Sequence, residues 1–297
     1  MSMPSDVPPR AQDRTRLWSP GRTCAMMPAM DELMAGHVAA YEQTVRSTIE
    51  LAETFDDADW DRPTELPGWT VKDIVSHLAG VEVMLMGEDP APGHTTPDDL
   101  PHVRNDLGRL VEAAVDHRRG TPGPEVLKEL RAVLERRLER LATTSPDERT
   151  WLPIGGEGPY SELMVFRAFD CWVHEQDIRR AVGRPGNLDG PGGRRMFQIV
   201  VRGLPMIVGK RAAAPAGTAV TFEISGEFEF TRHVQVGEDG RAAFAETVPE
   251  DATVLRMDWE TYTRLVTGRC TSAEVTVGVS GDEGLAARIL GAMALAP

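Results

Sequence analysis

Between Ser161 and Gly183 the chain spells an amphipathic helix whose apolar stripe is interrupted. Leu163, Phe166 and Ala181 share one face at three- and four-residue steps, and Asp170, His174 and Asp177 fall on that same face. Burying a carboxylate without a partner costs several kcal/mol, so a helix that turns this face inward must meet something that binds it. A metal ion is the simplest such partner. This requirement limits the fold more than any other stretch, because other elements must converge on that face.

The preceding chain supplies those elements. Over Met30 to Phe55, Leu33, His37, Val38, Tyr41, Val45, Ile49 and Ala52 repeat at helical spacing and predict a first long amphipathic helix. Pro67 and Gly68 then interrupt helix, and Thr70 is placed as an N-cap with Asp73 three residues on, so a second helix starts near Val71. Its stripe is Ile74, Leu78, Val81 and Leu85, with His77 inside it. A lone histidine there reads as a hydrogen-bonded core residue, unless a second helix brings Asp170 and His174 to it. The stretch Glu88 to Pro101 reads as a loop over one end of a bundle, and two helical pieces follow, Val103 to Arg118 and Pro124 to Thr143. Four long amphipathic segments separated by turns argue a four-helix bundle, where metal sites are built by side chains converging from facing helices. Asp170 and His174 stand one turn apart, and His77 completes three donors with coordination positions left open, as in catalytic zinc sites. A purely structural site would instead recruit a fourth ligand, with Asp177 the leading applicant. Glu175 points away from this face, and His94, His102 and His117, in or near loops, are not expected to be ligands. Trp69 and Trp172 read as packing anchors; Arg167, Arg179 and Arg180 flank the helix as surface cations or as partners for a substrate carboxylate.

Composition changes beyond the Gly- and Pro-rich run from Gly183 to Gly193. A helix over Arg194 to Arg211 is expected, then short strands in TAVTFEISGEFEF, RHVQVG, RAAFAE and ATVLRMD, a helix over Trp259 to Thr267, a strand in AEVTVGVSG and a closing helix from Asp282 to Ala294. The expected organisation is a disordered extension over 1–28, a metal-binding helix bundle over 29–185 and an α+β domain over 186–297. A formal charge of −14 argues against a phosphate-backbone binder and for a small substrate. No apolar run approaches bilayer length. Cys24, Cys171 and Cys270 are odd in number and far apart, which fits a reducing cytoplasm, with Cys171 a small buried residue.

LPGWTVKDIVSHLAG and FDCWVHEQDIRRAVG resemble the mycothiol-dependent maleylpyruvate isomerase family, a branch of the DinB-like metal-binding four-helix bundles. DWETYTRLVTGRC followed by AEVTVGVSGDEGLAARIL is similar to the small sterol-carrier-protein-like α+β domain that follows such bundles. The resemblance implies a divalent metal, usually zinc, on His77, Asp170 and His174, although the isomerase carries Glu at the position of the shorter Asp170. Asp177 would then orient a ligand histidine or pair with Arg180 or Arg131. The implied cosubstrate is mycothiol, a low-molecular-weight thiol, acting as a metal-bound thiolate on a small electrophile, with S-transferase and isomerase outcomes both open. A non-catalytic metal- or ligand-binding protein is the alternative.

Overall fold

The computed structural model describes residues 30–153 and 155–295; the expected N-terminal extension and Cys24 lie outside the described residues. The N-terminal region is helical. Its long helices are α1 (Met30–Ala52), α3 (Val71–Leu85), α4 (Asp106–Arg118), α5 (Gly123–Leu141) and α6 (Tyr160–Val182), with a short α2 (Asp57–Trp60) before α3. α6 packs along α1, while α3 lies against α4, α5 and α6. The core includes Tyr41 and Val45 of α1, Ile74 and Leu78 of α3 and Leu163 of α6 from the stripes read in the sequence, together with Leu130 and Leu134 of α5 and Met164 of α6. Thr44 and Thr48 are also buried, each donating its hydroxyl to the carbonyl four residues back, so neither leaves an unpaired polar atom in the core. No helix among the described residues is long and apolar enough to cross a membrane.

Local signals account for the position of α3. Thr70 caps it and Asp73 returns the bond, closing a complete capping box where the pattern had only hinted at one. Between α5 and α6 the turn-rich segment forms a hairpin absent from the sequence reading, β1 (Arg149–Trp151) with β2 (Glu157–Pro159).

The C-terminal part is α+β. α7 (Pro191–Val200) leads through irregular helical turns, including α8 (Leu204–Met206), to a mixed five-stranded sheet of β3 (Ala219–Ser225), β4 (Phe230–Val236), β5 (Ala242–Ala245), β6 (Thr253–Asp258) and β7 (Gly278–Ser280) in the order β5-β4-β3-β6-β7. β3 and β6 run parallel and the other neighbours antiparallel. α9 (Trp259–Val266) joins β6 to the segment before β7, and α10 (Glu283–Gly291) closes the chain. Two expectations need correction here. The helix expected over Arg194 to Arg211 is regular only to Val200, because Pro205 brings no amide hydrogen to an α-helical ladder and the turns around it tighten or widen. The last strand is only three residues long, since Glu274 accepts from both the amide and the hydroxyl of Thr271 (2.7 and 2.8 Å) and holds the preceding residues in a turn.

The Gly- and Pro-rich run after α6 is fastened to the bundle. Asn187 donates to Glu175 (2.6 Å) and accepts from Gln43 (3.2 Å), while its carbonyl accepts from the Trp172 indole (2.8 Å). Gly192 then passes so close to α1 and α6 that a Cβ there would lie 2.6 Å from the Thr44 hydroxyl and 2.7 Å from Trp172 Cβ.

Candidate metal centre

The capping box starts α3 so that His77 arrives nearly two turns later on the face shared with Ile74 and Leu78. α6 presents Asp170 and His174 one turn apart, and the two helices bring the three side chains together. One donor atom from each lies within 4.8 Å of the others. His77 Nε2 is 3.5 Å from Asp170 Oδ2, His174 Nε2 is 3.6 Å from Asp170 Oδ1, and the two imidazole centroids are 4.6 Å apart. Two donors bound tetrahedrally at about 2.1 Å from one zinc ion stand about 3.4 Å apart, the size of the two imidazole–carboxylate spacings, one to each Asp170 oxygen. The shorter Asp170 thus reaches both rings. Chemistry agrees with distance: His77 is 5% exposed, its Nδ1 has no hydrogen-bond partner, and its Nε2 has only the long 3.5 Å approach of Asp170 Oδ2.

Electrostatics prepares the same donors. Burial pushes the His77 imidazole down to about 4, so at neutral pH it offers an uncharged lone pair. Dehydration alone would raise the Asp170 carboxyl, but Arg167 and then His174 outweigh it and hold the group well below the usual carboxylate range. Arg167 donates to Asp170 Oδ2 at 2.5 Å and to Glu82 Oε1 at 2.6 and 3.0 Å, and Arg137 donates to the other Glu82 oxygen at 2.8 Å. This buried ladder orients Asp170 from below. The two imidazoles are almost wholly covered whereas the Asp170 side chain is 36% exposed, so the site opens to solvent beside the carboxylate. Trp69 forms a wall, its ring 5.1 Å from His77 and 6.0 Å from His174, with its indole N–H fixed by Glu112 at 2.8 Å.

Asp177 contacts both His174 and Arg180. Its Oδ2 lies 3.2 Å from His174 Nδ1 and its Oδ1 accepts from Arg180 at 2.7 Å, while Arg131 reaches Glu53 instead. It is not among the three convergent donors, since it meets the far nitrogen of His174. The flanking arginines are engaged with protein carboxylates: Arg179 binds Glu175, and Arg180 binds Asp177 and Glu65. Trp172 is a packing anchor, as expected, and Glu175 lies on the opposite side of α6. His94 pairs with Asp116, and His102 meets the Glu112 carboxylate that holds Trp69; neither is among the three convergent donors.

Sequence reasoning passed over Glu82 and Arg269. Glu82 carried a usable signal, since it stands four residues after Leu78 on the buried face of α3. Arg269 carried none: it comes from the C-terminal domain and reaches Asp177 Oδ2 at 2.9 Å.

Residues 41–179 match the family model described as the mycothiol maleylpyruvate isomerase N-terminal domain, and residues 197–288 match the model of the C-terminal domain of that isomerase. Crystal structures of the mycothiol-dependent maleylpyruvate isomerase and of a histidine-to-alanine mutant of it resemble this chain with a TM-score of 0.51 each, at 15% and 16% identity, over 86% of this chain and 96% of theirs. At that identity the likeness is one of fold. No curated protein matches the chain.

Proposed function

The chain belongs to the mycothiol-dependent maleylpyruvate isomerase family, and on that premise we propose that it is a metal-dependent enzyme using a low-molecular-weight thiol, mycothiol, on a small electrophile. His77, Asp170 and His174 are the residues that would hold the divalent ion, zinc being the best match to two imidazoles and a carboxylate. When bound, such an ion lowers the pKa of a thiol and keeps it as the reactive thiolate at neutral pH. The observation that supports this reading is the convergence of His77, Asp170 and His174, with the buried His77 ring lacking any short hydrogen bond.

The chain's own residues then have separable tasks. His77 stays neutral and donates a lone pair; Asp170 supplies the negative charge, steadied by Arg167. Asp177 takes the Nδ1 side of His174, which leaves Nε2 facing the other donors. Trp69 keeps water from one side, while the exposed edge of Asp170 leaves a way in for thiol and electrophile. Addition of the thiolate to an activated alkene, rotation and release gives an isomerase; retention of the sulfur on the product gives an S-transferase.

Metal content and thiol consumption test the proposal together. The purified protein is expected to hold one divalent ion per chain, with the ion lost in His77→Ala and in His174→Ala, and to consume mycothiol against a panel of unsaturated and alkylating electrophiles only without chelator. Stoichiometric metal in both variants would remove the assigned site, and chelator-resistant turnover would remove the metal from the chemistry.

A further inference from the structure

Arg269 belongs to the C-terminal domain in sequence and to the metal centre in space. α9 ends at Val266, and Gly268, at φ 70°, reverses the chain in a turn closed by the Gly268 and Arg269 amides donating to Leu265 and Arg264 carbonyls at 3.2 and 2.8 Å. The reversal sends the Arg269 side chain toward α6. There Nε lies 3.2 and 3.3 Å from the two Asp177 oxygens, Nη2 2.9 Å from Oδ2, and Nη1 donates to the Thr267 carbonyl at 2.7 Å. The Arg269 and Asp177 side chains are 7% and 0% exposed, so this pair escapes the solvent screening that makes surface pairs weak. The Asp177 oxygen that receives Arg269 Nη2 is also the one facing His174 Nδ1. With Arg180 on the other oxygen, the carboxylate cannot turn without breaking a charged bond at each end.

A second tie runs parallel to the first. Arg264 donates to Glu65 Oε1 at 2.5 Å, and Arg180 donates to Glu65 Oε2 at 2.8 Å. Glu65 stands four residues before Trp69, the wall beside both imidazoles. The C-terminal domain therefore grips the site from α6 and from the segment leading into α3.

We infer that Arg269 is a positioning residue: through Asp177 it fixes the orientation of the His174 imidazole, so the C-terminal domain completes the metal centre from outside the bundle. The inference rests on the metal reading of His77, Asp170 and His174. Loss of such an outer partner typically lowers metal affinity about 10- to 100-fold.

The test uses the full-length chain, titrated with zinc and with cobalt(II) against a chromophoric chelator, with thermal unfolding of the metal-free protein measured beside it. Arg269→Met is expected to weaken both metals about 10-fold or more and to shift the cobalt visible spectrum, while Arg269→Lys recovers most of the affinity. Equal affinity and an unchanged cobalt spectrum in Arg269→Met would overturn the inference while leaving the site intact. Absence of metal binding by the unmutated protein would overturn the reading of the site, and this inference with it, before any variant is made. If Arg269→Met does not fold, Arg269→Gln, which removes the charge at similar size, is compared with and without Asp177→Asn: an affinity loss that disappears in the Asn background supports action through Asp177, and no loss, or one that persists at full size, refutes it.

Discussion

α6 buries charge on two sides, and the two are finished differently. On the side facing α1 and the segment after α6, Glu175 is fully covered and accepts from Ser47 (2.7 Å), Arg179 (2.8 Å) and Asn187 (2.6 Å). Burial raises its carboxyl, opposed by those same donors. On the side facing α3, the carboxylates Asp170 and Asp177 are matched by arginines, yet the buried imidazole of His77 lacks any short hydrogen bond. Leaving a buried polar group unpaired costs about 1–3 kcal/mol, a penalty absent from Glu175 and present at His77. A saturated cluster holds segments together; an unsaturated one beside two more donors keeps electron pairs for a ligand. The two sides thus differ in completeness of bonding as well as in exposure, Glu175 being fully covered and the Asp170 side chain 36% exposed.

The contrast is most exposed to the removal of single side chains. His77→Ala or His174→Ala is expected to reduce bound metal from about one equivalent to under about a tenth, because a three-donor site does not survive loss of an imidazole. Glu175→Ala should do the reverse: full metal content, with unfolding free energy lower by about 3 kcal/mol, since Arg179 loses its buried carboxylate. Elemental analysis and urea titration of the same preparations read both. Metal loss in Glu175→Ala would erase the distinction between the two sides.

Proton linkage gives an effect of similar size, confined to one side. His77 is neutral in the fold down to about pH 4, whereas an unfolded imidazole protonates near 6.5. Between those values the unfolded chain binds the extra proton, so stability is fully present above about pH 6.5 and falls as pH drops toward 4, by on the order of 3 kcal/mol. His37 is also pushed down to about 4, so the metal-free wild type shows both contributions. Subtracting the urea midpoints of His77→Ala isolates the one at issue, and a difference independent of pH would mean that His77 is not held neutral.

Smaller effects sharpen the contrast further. Zinc at about 100 times its dissociation constant should add about 2.7 kcal/mol to unfolding of the wild type and nothing to His77→Ala, as read by thermal shift. Asn187→Ala, which removes the amide bridging Glu175 and Gln43, should cost about 1 kcal/mol with zinc affinity unchanged. A change in zinc affinity there would show that the two sides of α6 communicate.

Much of this was legible in the chain. Thr70 and Asp73 announced the start of α3 and therefore the height of His77, and the spacing of Asp170 and His174 placed them on one face. The Gly- and Pro-rich run after α6 disclosed less, because composition reports the absence of regular structure and says nothing of whether irregular backbone is bonded. Arg167 looked like a cation flanking the helix, and Arg137 gave no sign of being buried. Arginine and glutamate suit a solvated face as well as a buried pair, so their types do not disclose which they will be.

The sequence by itself determined which side chains share a face and where each helix begins, since helical period and capping are written within a few residues of backbone. Only the tertiary structure decided which charges meet. The partner of a carboxylate depends on the separation of elements in space, and Arg269, 92 positions from Asp177 along the chain, is joined to it by the packing of α9 against the bundle rather than by any local pattern. The packing of α3 against α6 decided that His77 would be buried beside Asp170 and His174, which turns a histidine on an apolar stripe into a candidate ligand.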